Sequence, residues 1–140
     1  MSNKDIVLTI DGNGQTIDGN KKQVFNIRKG ASLVLNNITI KNGESQLGGT
    51  IINQGTLTIT KSTITKSETS TLVGFGGAIF NNGILNITQS TFTDNRASLG
   101  GAIYNNNSGK IDITQSTFTG NSAVDEVSYG AGGAIKNWGT

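Results

Sequence analysis

A short frame recurs along this chain and limits what it can fold into: Gly76-Gly77-Ala78-Ile79, Gly100-Gly101-Ala102-Ile103 and Gly132-Gly133-Ala134-Ile135, with Gly48-Gly49-Thr50-Ile51 as a variant. Successive glycine pairs lie 28, 24 and 32 residues apart. Self-similarity at such a period marks a stacked architecture, in which one unit cannot bury its own apolar face and its neighbours complete the core. Two residues after each isoleucine stands an asparagine: Asn53, Asn81, Asn105 and Asn137. Val24-Phe25-Asn26 fits the frame without the glycines, which predicts coils in register from the first.

The segments between the frames carry strand signals. A glycine follows each asparagine (Gly55, Gly83, Gly109, Gly139), and aliphatic residues then alternate with polar ones: Leu57-x-Ile59, Leu85-x-Ile87 and Ile111-x-Ile113, with Leu33-x-Leu35 one coil earlier. Alternation at period two is the pattern of a strand with one buried face. Beyond a small polar turn a further apolar position recurs at Ile40, Ile64, Phe92 and Phe118. No segment shows i, i+3, i+4 periodicity. The chain therefore reads as a single all-β domain over residues 1–140, a single-stranded right-handed parallel β-helix (β-solenoid) of about five coils of ~24 residues with three short strands per coil. The coils fall near 5–23, 24–50, 51–78, 79–102 and 103–134, and the next begins at 135–140.

Parallel strands in such a stack lie about 4.8 Å apart, so equivalent residues sit directly above one another. Asn26, Asn53, Asn81, Asn105 and Asn137 then fall in one column, where each amide donates to one neighbour and accepts from the other: a structural asparagine ladder. The glycine pairs supply a backbone bend. Nearly all length variation falls at one corner, in the segments 44–47, 68–75, 96–99 and 122–131, with residues 107–108 inserted elsewhere. Loops that project from one edge of a rigid array are where such proteins meet partners. The two longest nominate Glu68, Thr71, Leu72, Phe75, Asp125, Glu126 and Tyr129 as partner-binding residues.

Composition fits this reading. Only 34% of the chain is apolar and 20 residues are glycine, too lean for a compact globule but enough for coils that each need a few inward side chains. The chain has no cysteine, hence no disulfide and no thiolate metal cluster, and no histidine. Its net charge of +2 is scattered, with no basic stripe for nucleic acid. Asp94 and Asp112 fall near strand positions but in different columns, so no converging carboxylates are expected. The reading is accordingly non-enzymatic, with no catalytic residues, cofactor or metal. Asp11-Gly12-Asn13-Gly14 and Asp18-Gly19-Asn20 read as turns rather than a calcium loop.

Thr63-x-Thr65, Thr91-x-Thr93 and Thr117-x-Thr119 place two threonine columns on one outer face, interrupted by Lys41 one coil earlier. Threonine is a good outward strand residue, and a flat Thr-x-Thr array is also what β-solenoid ice-binding proteins present. Phe80 and Tyr104 share an outward column with Ile52 and Lys136, a candidate contact stripe or a simple cross-strand stack. No basic leader or apolar run of membrane-span length occurs. The chain is thus expected to be a segment of a longer solenoid, with export and anchor signals elsewhere, no membrane insertion of its own and a tendency to associate end to end.

The paired motifs Gly-Gly-Ala-Ile and Phe-x-x-Asn (Phe92-Thr93-Asp94-Asn95, Phe118-Thr119-Gly120-Asn121) resemble the passenger repeats of polymorphic outer membrane proteins, autotransporter adhesins with β-helical passengers. They are similar also to adhesin-like surface proteins of methanogenic archaea and many bacteria. The resemblance runs from about residue 5 to 140 and is one of repeat rather than of active site. It implies a secreted or cell-surface scaffold that binds a host-cell or matrix protein or a glycan. β-Helices also include polysaccharide-acting enzymes of the pectate lyase type, so a fragment of such an enzyme is the alternative.

Overall fold

The computed structural model describes residues 6–124 and 132–140, and in them every strand pairing is parallel and every neighbour comes from the coil before or after. No helix of these residues is long and apolar enough to cross a membrane. The chain winds through four faces in fixed order. A long-strand face holds Ile6–Asp11, Ala31–Asn36, Thr56–Thr60, Ile84–Thr88 and Lys110–Thr114. A threonine face holds Thr16–Asp18, Thr39–Lys41, Thr63–Thr65, Thr91–Thr93 and Thr117–Thr119. A short-strand face holds Glu44–Ser45, Glu68–Thr69, Arg96–Ala97 and Ser122–Ala123, and an asparagine face holds Phe25–Ile27, Ile51–Asn53, Ile79–Asn81, Ile103–Asn105 and Ile135–Asn137.

The β-solenoid expected from the repeat is thus present, with one difference in its cross-section. Three strands per coil become four, because the residues after each Phe-x-x-Asn frame or its equivalent run extended for two residues before the loop departs. Two residues carry no alternation, so period-two reasoning cannot register them.

Like packs on like in the core. Leu33, Leu57 and Leu85 form one ridge, Leu35, Ile59 and Ile87 a second, Ile40, Ile64 and Phe92 a third, and Ile51, Ile79 and Ile103 a fourth, all buried. The outermost members of these ridges, among them Ile10, Ile17, Ile111 and Phe118, are only partly covered. Each middle strand has a coil on both sides, and each end strand has one.

Three of the four corners turn on a single residue in the left-handed region. Asn37, Lys61, Gln89 and Gln115 enter the threonine face, Asn42, Lys66, Asp94 and Gly120 leave it, and Gly48, Gly76, Gly100 and Gly132 precede the asparagine face. At the first two corners every one of these residues but Gly120 has a side chain despite its positive φ; the third admits only glycine. A Cβ on Gly76 would lie 2.0 Å from the Ile79 carbonyl oxygen, and one on Gly77 would lie 2.1 Å from the carbonyl oxygen of Gly101 in the next coil. The pair is therefore needed twice over: the first glycine for its φ, the second because the neighbouring backbone leaves no room.

Candidate functional site

The asparagine face ends in a hydrogen-bonded column. Asn53 Nδ2 donates to Asn81 Oδ1 (2.7 Å), Asn81 Nδ2 to Asn105 Oδ1 (2.6 Å) and Asn105 Nδ2 to Asn137 Oδ1 (2.7 Å). Every bond runs in the same direction along the stack, so the dipoles reinforce one another. Each amide also holds a backbone carbonyl: Asn53 Nδ2 reaches that of Ile84 and Asn81 Nδ2 that of Lys110, both in the next coil, and Asn105 Nδ2 that of Gly109 in its own turn, while Gly55 N and Gly139 N donate to Asn53 Oδ1 and Asn137 Oδ1. Asn53, Asn81 and Asn105 are fully buried, and this saturation is what makes burial of their amides tolerable.

Asn26 is not part of the ladder. Phe25 pairs with Ile51 and Asn26 with Ile52, so Asn26 points outward and is exposed, and Ile27 takes the place below Asn53. The frame is shifted by one residue because the first coil lacks the glycine pair that fixes it. Its turn at 28–31 is also longer than the one at 54–55, so an inserted segment exists there as well as at 107–108.

Two further polar columns escaped the sequence reading. Asn95 Nδ2 donates to Asn121 Oδ1 (2.9 Å) and to the Ile64 carbonyl, Asn121 Nδ2 to the Phe92 carbonyl, and Ser67 N to Asn95 Oδ1. This gives the asparagine of Phe-x-x-Asn a physical role: it closes the corner between the threonine and short-strand faces. Ser62 and Ser90 accept from the backbone N–H one coil below and donate to Thr60 and Thr88, with Ser116 completing the column at offsets of 24, 28 and 26 residues. The recurrence of serine two residues before Ile64, Phe92 and Phe118 was the available signal.

The loop corner is built on Glu68, which lies in register between Glu44 and Arg96. Beyond Thr69 the chain leaves the stack and lifts Leu72 and Val73 into solvent, 89% and 58% exposed. The excursion is pinned at its base. Ser98 Oγ donates to the Leu72 carbonyl (2.8 Å) and accepts from Gly74 N (3.1 Å), while the N–H groups of Ser98 and Leu99 both donate to the Gly74 carbonyl. Phe75 returns to the stack between Leu47 and Leu99, and its ring packs edge-on against Tyr104 (4.9 Å) and Phe80 (6.5 Å). Of the nominated residues, Thr71 and Leu72 line a shallow cleft of about 160 Å³ with Glu68, Arg96, Ser98 and Val124, whereas Phe75 anchors the loop from the other side. Asp125, Glu126 and Tyr129 lie outside the described residues.

The other outer faces also resolve. Thr16, Thr39, Thr63, Thr91 and Thr117 form one column, two rungs longer than the repeated triplet indicated, and Asp18, Lys41, Thr65, Thr93 and Thr119 form the next. Thr93 and Thr65 are hydrogen-bonded through their hydroxyls at 3.0 Å, and Lys41 pairs with Asp18 at 3.5 Å. The Asp18 carboxyl is held below its ordinary value, first by the Asn20 backbone N–H and then by the Asn42 amide, with Lys41 adding to both. Asp11 caps its own turn through Asn13 N, so both Asp-Gly-Asn segments are aspartate-capped turns. Phe80 and Tyr104 stack with parallel rings 5.6 Å apart, and burial raises the Tyr104 phenol. Stacked along the column, the rings present edges rather than open faces. Asp94 and Asp112 stay apart, one at a corner and one outward on the long-strand face. Among the described residues no three acidic, histidine or cysteine side chains gather as metal ligands.

Residues 89–106 and 115–137 match the family model of the Chlamydia polymorphic membrane protein (Chlamydia_PMP) repeat. The two stretches contain Asn95 and Asn121 of the short polar column and Asn105 and Asn137 of the ladder. Comparison with curated proteins gave no match, and comparison with solved structures gave none.

Proposed function

We propose that this chain, a stack of polymorphic-membrane-protein-type coils, is a non-enzymatic, adhesin-like segment of a cell-surface or secreted protein. Its solenoid acts as a stiff stalk, and the 68–75 loop meets a host-cell or matrix protein or a glycan. The observation that carries this reading is the loop itself. Leu72 and Val73, 89% and 58% exposed, set an apolar pair at the loop tip, and the Leu72 carbonyl is fixed to Ser98. A tip that is both apolar and fastened to a rigid scaffold has lost the entropy that binding would otherwise remove. The repeat match supports an outer-membrane or surface location for such a segment.

The double variant Leu72→Ser, Val73→Ser tests the proposal. Both side chains are exposed, and the backbone bonds of Leu72 and Gly74 to Ser98 and Leu99 are kept, so the far-UV spectrum and unfolding midpoint are expected to hold while binding to cells, immobilised matrix proteins or glycan arrays is lost. Binding that persists at wild-type strength would place the adhesive surface elsewhere.

The five-threonine column supports a second reading, recognition of ice by an ordered hydroxyl and methyl array. It requires thermal hysteresis in the wild-type protein that Thr91→Lys removes.

A further inference from the structure

Two clefts on one side of the stack meet at Glu68. The first, of about 340 Å³, is lined by Asp18, Lys21, Asn42, Glu44, Lys66 and Glu68. In the second, the cleft of about 160 Å³ at the loop, Glu68 is joined by Arg96, Ser98, Leu72 and Val124. Together they form one shallow groove along the outside of the short-strand face. It runs from the first coil to the fifth, four strand spacings or about 19 Å.

The floor of the groove is fixed. Glu44, Glu68 and Arg96 are in register, and their backbone N–H groups donate to the carbonyls of Lys22, Gly43 and Ser67 one coil earlier. The side chains above it are charged and uncommitted: Glu44, Glu68, Lys66 and Arg96 make no side-chain hydrogen bond or ion pair among the described residues. Glu44 and Glu68 stand side by side in one ladder, where like charges repel. Along the groove three carboxylates, Asp18, Glu44 and Glu68, are balanced by three cations, Lys21, Lys66 and Arg96. Its field therefore favours neither an anionic nor a cationic ligand.

The geometry points to this groove as the binding site of a linear, uncharged glycan; the inference rests on the proposal that the chain is a binding segment and names its ligand class. Sugar hydroxyls both donate and accept. One chain of them serves the carboxylates as donors and the guanidinium and ammonium groups as acceptors, in charge-assisted hydrogen bonds. The period fits as well. Binding groups recur once per coil, at about 4.8 Å, close to the advance of one ring along a linear glycan. Side chains on one face of an extended peptide recur at roughly 6.6 Å and fall out of step. Leu72 and Val124 add an apolar contact for the C–H face of a ring at the loop end.

Isothermal titration with cellohexaose, xylohexaose and chitohexaose tests this, with hexagalacturonate and an unstructured Ser/Thr peptide as comparisons. The wild-type protein is expected to bind at least one of the uncharged sugars and neither comparison. Glu44→Ala and Arg96→Ala, one in each cleft, are each expected to weaken binding about tenfold, the loss of one hydrogen bond to a charged group, and Glu68→Ala at the junction by at least as much. Asp112→Ala, outward on the long-strand face, is expected to bind as wild type. Circular dichroism checks folding, and Glu68→Gln or Arg96→Gln replaces an alanine variant that unfolds. No uncharged sugar bound at its solubility limit, undiminished affinity in a folded Glu68 variant, a matching loss in Asp112→Ala, or binding of the galacturonate or the peptide in place of the sugars would each overturn the inference. The loop proposal is judged separately, by the adhesion of Leu72→Ser, Val73→Ser, whose groove charges are intact, so either reading can fail alone.

Discussion

The middle of the stack and its first coil are written in nearly the same strand pattern, yet they differ in what each residue is worth. Ile79, Leu85, Ile87, Phe92 and Asn81 are buried to within 1% of complete, each lying between two like neighbours. Leu8 in the same column as Leu85 is 52% exposed, and Ile17 in the column of Phe92 is partly covered. The side chains are of similar kind; only the number of flanking coils has changed. In a quasi-one-dimensional stack, stability is therefore a property of interfaces between coils more than of the motif within one coil.

The sharpest way to break this comparison is to cut one column at both places. Phe92→Ala leaves a cavity between Ile64 and the stacked Phe118 ring, 5.0 Å from Phe92, and is expected to cost about 3–5 kcal/mol in denaturant unfolding. Ile17→Ala removes a side chain that is only partly buried, and its expected cost is about 1–2 kcal/mol. Equal losses at the two sites would mean that the first coil is as tightly held as the middle.

The polar columns give the next contrast. Asn81→Ala strands the Asn53 amide on one side and the Asn105 oxygen on the other, and deprives the Lys110 carbonyl of a donor. Unsatisfied buried groups of this kind are expected to cost about 2–4 kcal/mol. Asn26→Ala, at an exposed position with no ladder contact, is expected to fall within about 0.5 kcal/mol of wild type.

That second pair of mutations marks where sequence reasoning stopped. The ladder from Asn53 to Asn137 was legible because a fixed frame of glycines and isoleucine locates every rung. The first coil has no glycine pair, and Phe25-Asn26-Ile27 can be laid on Ile51-Ile52-Asn53 in two ways that differ by one residue. Only pairing with the next strand decides between them, and a one-residue slip exchanges inside for outside. The serine and Phe-x-x-Asn columns lay in plain view as recurring residues, but what they bond to is a backbone group one coil away. The 68–75 loop was legible as an insertion, whereas its fastening through Ser98 was not, since Ser98 belongs to the following coil.

Ile27→Asn sharpens the comparison by giving the first coil the residue that its column holds elsewhere. The new amide would lie below Asn53 and next to the Asn53 oxygen that now accepts from Gly55 N. A net hydrogen bond of about 1 kcal/mol offsets much of the lost aliphatic burial. The expected penalty is about 1 kcal/mol, well below that of placing Asn at Ile51, which faces the apolar ridge. A penalty as large as at Ile51 would show that the ladder cannot be extended into a coil with this longer turn.

The smallest effect concerns pH and separates the two regions by chemistry instead of packing. The ladder amides do not titrate, so the middle coils draw no pH dependence from them. In the first two coils Asp18 accepts from Asn20 N and Asn42 Nδ2 and pairs with Lys41, and its folded pKa lies below the ordinary 3.8. A depressed folded pKa means that the carboxylate's contribution is fully present above the unfolded value and is lost as pH falls through the folded one. Because the group is exposed, that contribution is screened by solvent and small. Carboxyl chemical shifts followed through an acid titration are expected to place Asp18 below the ordinary 3.8 and to move it back toward that value in Asn42→Ala. A midpoint for Asp18 at or above the ordinary value would mean that the Asp18-Asn42 contact between the first two coils does not persist in solution, and that this pair of coils is joined by its strands alone.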